Sequence, residues 1–259
     1  MDPQKEGDTM DKRILGWILV LVLAGCDRGA TAAAPTPGTT AAAPTPGTAA
    51  AAPTPETTAA EPASKTSLSL PRAADSDLAA LKDRQDVRQL DLTGSQVTDG
   101  GLAHLMDMQS LQVLILDNTK VTDAGLVHLK EMKGLQTLFL DQTQVTDVGL
   151  ATLKEMKGLQ QLYLAKTSVT DAGLAQLKEM KGLQTLGLYG TGVTDYGLAY
   201  LKEMTGLQTL GLSDTQVTDT GLAQLKEMKG LRVLHLYGTK VTESGLAGLK
   251  AALPNTRID

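Results

Sequence analysis

The sequence predicts an α/β solenoid, with parallel strands along one face and helices along the other. Three observations carry this. From Val87 the chain repeats every 24 residues, with copies opening at Val87, Leu111, Leu135, Leu159, Leu183, Leu207 and Leu231 and a truncated one at Asn255. Early in each copy an x-L-x-L stretch alternates with period two, so its two leucines, Leu138 and Leu140 in the third copy, share one face of a strand. Later in the copy Leu150, Leu153 and Met156 recur at i, i+3 and i+6, the stripe of a helix. No single copy can bury both stripes, so stacking is obligatory.

Residues 1–26 read as an address. Lys12 and Arg13 precede twelve uncharged, mostly aliphatic residues, Ile14 to Gly25. A spanning helix needs about 20; a run of this length fits the apolar region of a secretory signal. The acidic residues Asp2, Glu6 and Asp8 are unusual ahead of such a region and make Met10 an alternative start. The run ends in Leu23-Ala24-Gly25-Cys26, with the chain's one cysteine in last place. This box resembles the lipobox of bacterial lipoproteins. The resemblance implies a diacylglyceryl group on the Cys26 thiol, cleavage just before it, and an extracytoplasmic, membrane-anchored protein. Two or more acyl chains hold a protein stably at a bilayer where one does not.

Residues 27–70 read as a disordered tether. Within them the nine-residue unit TAAAPTPGT recurs with variations over residues 31–66, which hold seven of the ten prolines and no aromatic, Leu, Ile or Val. Such a stretch cannot bury enough apolar area to offset ordering. Its Pro-Thr-Pro units favour an extended path, ~120 Å for ~40 residues at full stretch. Residues 71–86 read as a half-copy capping the first coil, through Asp75, Leu78 and Leu81. Residues 87–259 form the repeats. After Pro254 only one strand remains, with Ile258 facing inward. Its unpaired edge is an expected site of self-association.

The recurring polar residues have structural readings. Thr119, Thr143, Thr167 and their equivalents follow the strand, where a hydroxyl can bond backbone of its own turn and of the neighbouring coil. Thr122 and Asp123, with their equivalents, suit the helix N-cap and first turn. Gly125 stands early in the helix, where a side chain would crowd the next coil, and Gly134 fits a helix-ending position.

Most copies read L-Q-x-L-x-L-x-x-T-x-V-T-D-x-G-L-x-x-L-K-E-M-K-G. Over residues 75–259 this resembles the leucine-rich repeat family, whose signature is L-x-x-L-x-L-x-x-N/C-x-L. The T-D-x-G-L half is most similar to the cysteine-containing repeats of F-box proteins and to bacterial, notably planctomycete, repeats. Threonine here stands where those patterns often carry Asn or Cys. The resemblance implies a curved right-handed solenoid with strands on its concave face and helices on its convex face. It brings no ubiquitin-ligase role, because no F-box-like segment precedes the repeats.

Composition excludes several classes. A net charge of −5 provides no basic face for nucleic acid. A single cysteine forms no internal disulfide or Cys-based metal cage. The recurring aspartates start helices rather than Gly-rich turns, so they do not read as calcium ligands. His104 and His128 share one helix position without a third ligand for zinc. His235 and Asp259 occupy one strand position in adjacent coils, with Ser213 one coil back, but no oxyanion-forming turn is evident beside them. The Lys-Glu-Met-Lys runs read as a solvated convex face with weak ion pairs around a core methionine. No metal, cofactor or catalytic residue is assigned; a hydrolase is a remote alternative.

The variable positions are the informative ones. The inward leucines send the third, fifth and seventh residues of each copy to the concave side. The one Phe and three of the five Tyr lie there. Val113, Ile115, Phe139 and Tyr163 are expected to form a contiguous exposed row, with Gly187 and Gly211 opening a dip beside it and Tyr189, His235 and Tyr237 nearby. Clustered exposed aromatics beside a depression mark an interaction surface. The sequence thus predicts a non-catalytic module binding a protein or peptide, held at a membrane by its acyl anchor. The alternative is an envelope spacer with no ligand.

Overall fold

The computed structural model describes residues 66–259. Nine parallel strands form one sheet in sequence order: β1 Thr66–Ser69, β2 Val87–Asp91, β3 Val113–Ile115, β4 Thr137–Phe139, β5 Gln161–Tyr163, β6 Thr185–Gly187, β7 Thr209–Gly211, β8 Val233–His235 and β9 Arg257–Ile258. Helices α1 Asp75–Ala79, α2 Asp99–Leu102, α3 Asp123–Leu129, α4 Asp147–Leu153, α5 Asp171–Leu177, α6 Asp195–Leu201, α7 Asp219–Leu225 and α8 Glu243–Ala252 alternate with them. This is the α/β leucine-rich repeat fold. Pairing falls one repeat apart, with Leu138 beside Leu162 and Leu162 beside Leu186, and this register serves β2 to β9; β1 pairs with β2 at a different offset, with a shift between Thr66 and Ser67.

The core lies between sheet and helices. Leu138, Leu140, Leu150 and Leu153 are fully buried there, with their equivalents in successive coils. Most helices are shorter than the leucine-to-methionine stripe suggests. The α4 helix ends at Leu153, and Met156 reaches the core from the following turn, its N–H donating to the Leu153 carbonyl at 2.9 Å. Gly134 therefore does not end α3, whose C-cap is Lys130. A Cβ on Gly134 would stand 2.5 Å from the Gln109 carbonyl oxygen of the preceding coil, so close backbone approach explains that glycine.

The N-terminal cap begins earlier than the composition indicates. Thr66–Ser69, within the stretch read as tether, is a strand, because Leu68 alternates with polar neighbours and packs against the core while the backbone pairs with β2. Leu70 and Ala73 continue the cover. At the other end Ile258, like Val241 and Leu246, packs partly buried against the core.

A polar ladder ties the coils along the helix N-termini. Thr146 caps α4, its hydroxyl accepting from Val148 N–H at 3.2 Å. That hydroxyl donates to Asp123 Oδ2 at 2.7 Å, and the Thr146 N–H donates to Asp123 Oδ1 at 2.8 Å. The same pair of bonds recurs from Asp75–Thr98 through Asp219–Thr242. The aspartates thus join coils as well as favouring the helix dipole. The glycine after each Asp follows from this: a Cβ on Gly149 would collide with Asp123 Oδ1 and Leu126 Cδ1 of the preceding coil, not the next one. Thr143 donates to its own turn's Leu140 carbonyl at 2.6 Å, with no bond to a neighbouring coil.

Candidate functional site

The sheet face turned away from the helices, the concave face of this fold, carries the predicted residues. Ile115, Phe139 and Tyr163 are register partners on β3, β4 and β5, with Val113 at the start of β3. Phe139 and Tyr163 stack in parallel, centroids 4.3 Å apart and planes 2° from coplanar. The row is contiguous, as alternation requires.

Its exposure differs from expectation. Phe139 is 1% exposed and so is not part of a free surface. A large flat ring between a β-branched neighbour and a second ring, at strand spacing, is covered from both sides even on an open face. Tyr163 closes the stack and is half-buried, with its hydroxyl 3.3 Å from Gln161 Oε1. Burial and the Asp141 carboxylate push that phenol up to about 12. Val113 and Ile115 are also half-buried.

At the register positions beyond Tyr163 the next two strands carry glycines, Gly187 and Gly211. A Cβ on Gly187 would sit 3.0 Å from Tyr163 Cδ1, and Gly211 continues the bare floor. Beyond it stands His235, with Nδ1 3.1 Å from Asp259 Oδ2, a carboxylate shared with Arg257. Among the described residues no hydrogen bond joins Ser213 to His235. Tyr237 is 79% exposed. Tyr189 flanks the floor, with Lys166 Nζ 5.5 Å from its ring centre. The Asp214 carboxylate, as hydrogen-bond acceptor, and then burial raise the Tyr189 phenol. Cys26 lies outside the described residues.

Two features of this face do not follow from the repeat pattern. Asp117 and Asp141, one strand apart beside the aromatic stack, are drawn into the face. The Asp141 N–H donates to Asp117 Oδ1 at 2.9 Å, and the Ala165 N–H to Asp141 Oδ1 at 2.6 Å. Desolvation, then the charges of Asp141 and Asp91, raise Asp117 to about 7; desolvation raises Asp141 to about 6. The signal in the sequence is a pair of aspartates at the seventh position of successive copies. The second feature is the residue after them, which has positive φ in every full copy, at Gly94, Asn118, Gln142, Lys166, Gly190, Asp214 and Gly238. Glycine holds this place in only three copies, so residue identity gives no warning of it.

A shallow cleft on the opposite edge, lined by Lys130, Lys133, Glu155 and Lys157 over Met132 and Met156, includes none of the predicted residues. No group of three or more metal-ligating side chains occurs among the described residues, and none of their helices is long and apolar enough to cross a membrane.

No family model and no curated protein matches the chain. Solved structures do. Internalin C2 of Listeria monocytogenes is 24% identical, with a TM-score of 0.55 over 75% of this chain and 78% of that one. A second internalin of the same organism is 18% identical, with a TM-score of 0.41 over 70% and 69% of the two chains. A leucine-rich repeat protein of Leptospira interrogans is 18% identical, with a TM-score of 0.47 over 69% and 50%. The likeness to internalin C2 is one of fold.

Proposed function

We propose that this protein is a non-catalytic binding module that takes a protein or peptide on its open sheet face and is held at a membrane surface through Cys26. The observation that carries the reading is where aromatic side chains remain accessible. The repeated leucines and valines are nearly all buried, whereas Tyr163, Tyr189 and Tyr237 keep exposure on the sheet face around the Gly187 and Gly211 positions; Tyr196 and Tyr200 are exposed separately on helix α6. Rigid strands present these groups with little ordering cost on binding. A shallow sheet offers area rather than an enclosed pocket, which suits a macromolecular partner. Residues 27–65 are the spacer that lets this face reach its target, and tethering raises its effective concentration at the surface.

Two measurements test the halves separately. Cys26→Ser is expected to abolish incorporation of labelled palmitate and to release the protein from membranes; retained label would overturn the anchor. Tyr163→Ala/Tyr189→Ala/Tyr237→Ala is expected to lose partners captured by the wild type from envelope extracts while keeping its circular dichroism spectrum. Equal capture would overturn the face, and no capture by either would favour the spacer. Phe139 stays unchanged in this variant because its burial makes it a stability residue.

A further inference from the structure

Resting on that reading, the geometry points to the partner's chemistry: the gap beside Tyr163 receives an arginine side chain, its guanidinium lying on the open ring face within reach of the Asp141 carboxylate. Three features converge there. The Phe139–Tyr163 stack shows that flat groups pair at one-strand spacing on this face, and the register positions beyond Tyr163 are Gly187 and Gly211, the first approached by the Tyr163 ring itself, whose Cδ1 would lie 3.0 Å from a Cβ there. Tyr163 and His235 are three strands apart, ~14 Å at ~4.8 Å per strand, so the gap admits a planar side chain and its stem.

The carboxylates are the second feature. Asp141 is 8% exposed, and its Oδ1 accepts the Ala165 N–H, while its Oδ2 accepts no hydrogen bond from the described residues. Ala165, the residue across from it on the next coil, is too small to cover that oxygen. Asp117 is arranged the same way one coil earlier.

Charge is the third. On the C-terminal ends of β2 to β7 and the turns that follow them stand Asp91, Asp117, Asp141 and Asp214 against Lys120 and Lys166, four carboxylates to two ammonium groups; Asp259 is matched by Arg257 and His235. A neutral ring or sugar would take the remaining water from these carboxylates without compensating them. A guanidinium compensates them and stacks, as a compact ammonium cannot. Lys166 over Tyr189 shows a cation already using a ring on this face.

The test is titration of the isotope-labelled full chain with the blocked peptide acetyl-Gly-Arg-Gly-Arg-Gly-amide, followed by amide chemical shifts. A citrulline peptide, equal in shape but neutral, and a Gly-Glu-Gly-Glu-Gly peptide serve as controls. Shifts are expected at Ala165, Gly187 and Gly211 with the arginine peptide, and binding at least about tenfold weaker with citrulline. Tyr163→Leu and Asp141→Asn are each expected to weaken the arginine peptide about tenfold, the size of a ~1.4 kcal/mol contact; Asp141→Asn keeps the stack and guards against a misfolded Tyr163 variant. Equal binding of arginine and citrulline peptides in the gap would overturn the cation while leaving the face as a binding surface. Shifts confined elsewhere, or none with any peptide, would overturn the inference; if the tyrosine triple variant still loses captured partners, the broader reading stands without it.

Discussion

At the helix edge, Asp219 accepts the Thr242 N–H and hydroxyl at 2.8 and 2.6 Å, and these bonds hold its carboxyl below the usual range. On the open sheet face, Asp117 and Asp141 also accept a backbone N–H from the next coil, yet burial raises both. The residue type and the inter-coil role are the same, and the sign is opposite. What differs is water and the number of donors. An exposed carboxylate with two donors gains from being charged, and a desolvated pair with one donor each loses. The first arrangement recurs from coil to coil and locks the stack; among the described residues the second occurs once, beside the paired aromatic rings.

That contrast has its largest consequence in pH dependence. Between about pH 4 and 7 folded Asp117 and Asp141 keep protons that the unfolded chain has released, so folding stability is greatest near the unfolded value and falls as pH rises through about 6 and then 7. The loss expected across this window is on the order of a few kcal/mol, because each tenfold difference in proton affinity between the folded and unfolded chain is worth about 1.36 kcal/mol. Asp219, held low, contributes above its unfolded value and loses that contribution as pH falls below about 4. Melting temperature against pH is therefore expected to peak near pH 4–5. Asp117→Asn/Asp141→Asn should flatten the limb above the peak, and Asp219→Asn should leave that limb unchanged. A limb that survives in the Asp117/Asp141 double variant would sink the contrast.

The aromatic row gives the next effect. Phe139→Ala is expected to destabilise by ~3 kcal/mol or more, the cost of an emptied core site, whereas Tyr237→Ala should stay within ~0.5 kcal/mol. Both residues lie on the same face, at 1% and 79% exposure. Urea unfolding of the two variants separates the covered part of the row from its free part. A Phe139 variant as stable as the wild type would restore it to the accessible surface.

The sequence pattern makes the solenoid, its strand register and its inward leucines legible, because a side chain's face follows from period alone. Alternation also places Ile115, Phe139 and Tyr163 in one row. Their exposure is not legible in it, since alternation fixes which way a side chain points and nothing about what its neighbours cover. Phe139 is sealed by the residues 24 positions either side of it. Nor is the Asp–Thr ladder legible: Asp123 and Thr146 each have a sufficient local role at a helix start, so nothing within one copy asks for a bond between copies. Strand β1 is hidden because Thr66–Ser69 adjoins Pro- and Ala-rich repeats of similar polarity.

The ladder's own test has an unusual sign. Glycine to alanine inside a helix ordinarily stabilises by ~1 kcal/mol. Gly149→Ala lies in α4 and is expected instead to destabilise by ~1–3 kcal/mol, because the new methyl meets Asp123 Oδ1 and Leu126 Cδ1, at 2.8 Å for the latter. Asp123 is fixed by its two bonds to Thr146 and cannot swing away without breaking them. Asp123→Ala is expected to cost ~1.5–3 kcal/mol through loss of those charged hydrogen bonds. Once Asp123 is gone, the methyl meets only Leu126 and Val145, so the double variant should be more stable than the sum of the two single losses predicts, by at least ~0.5 kcal/mol. Strict additivity in urea unfolding would mean that the glycine answers to Leu126 and Val145, and that the recurrence of Asp-x-Gly reflects core packing rather than the ladder.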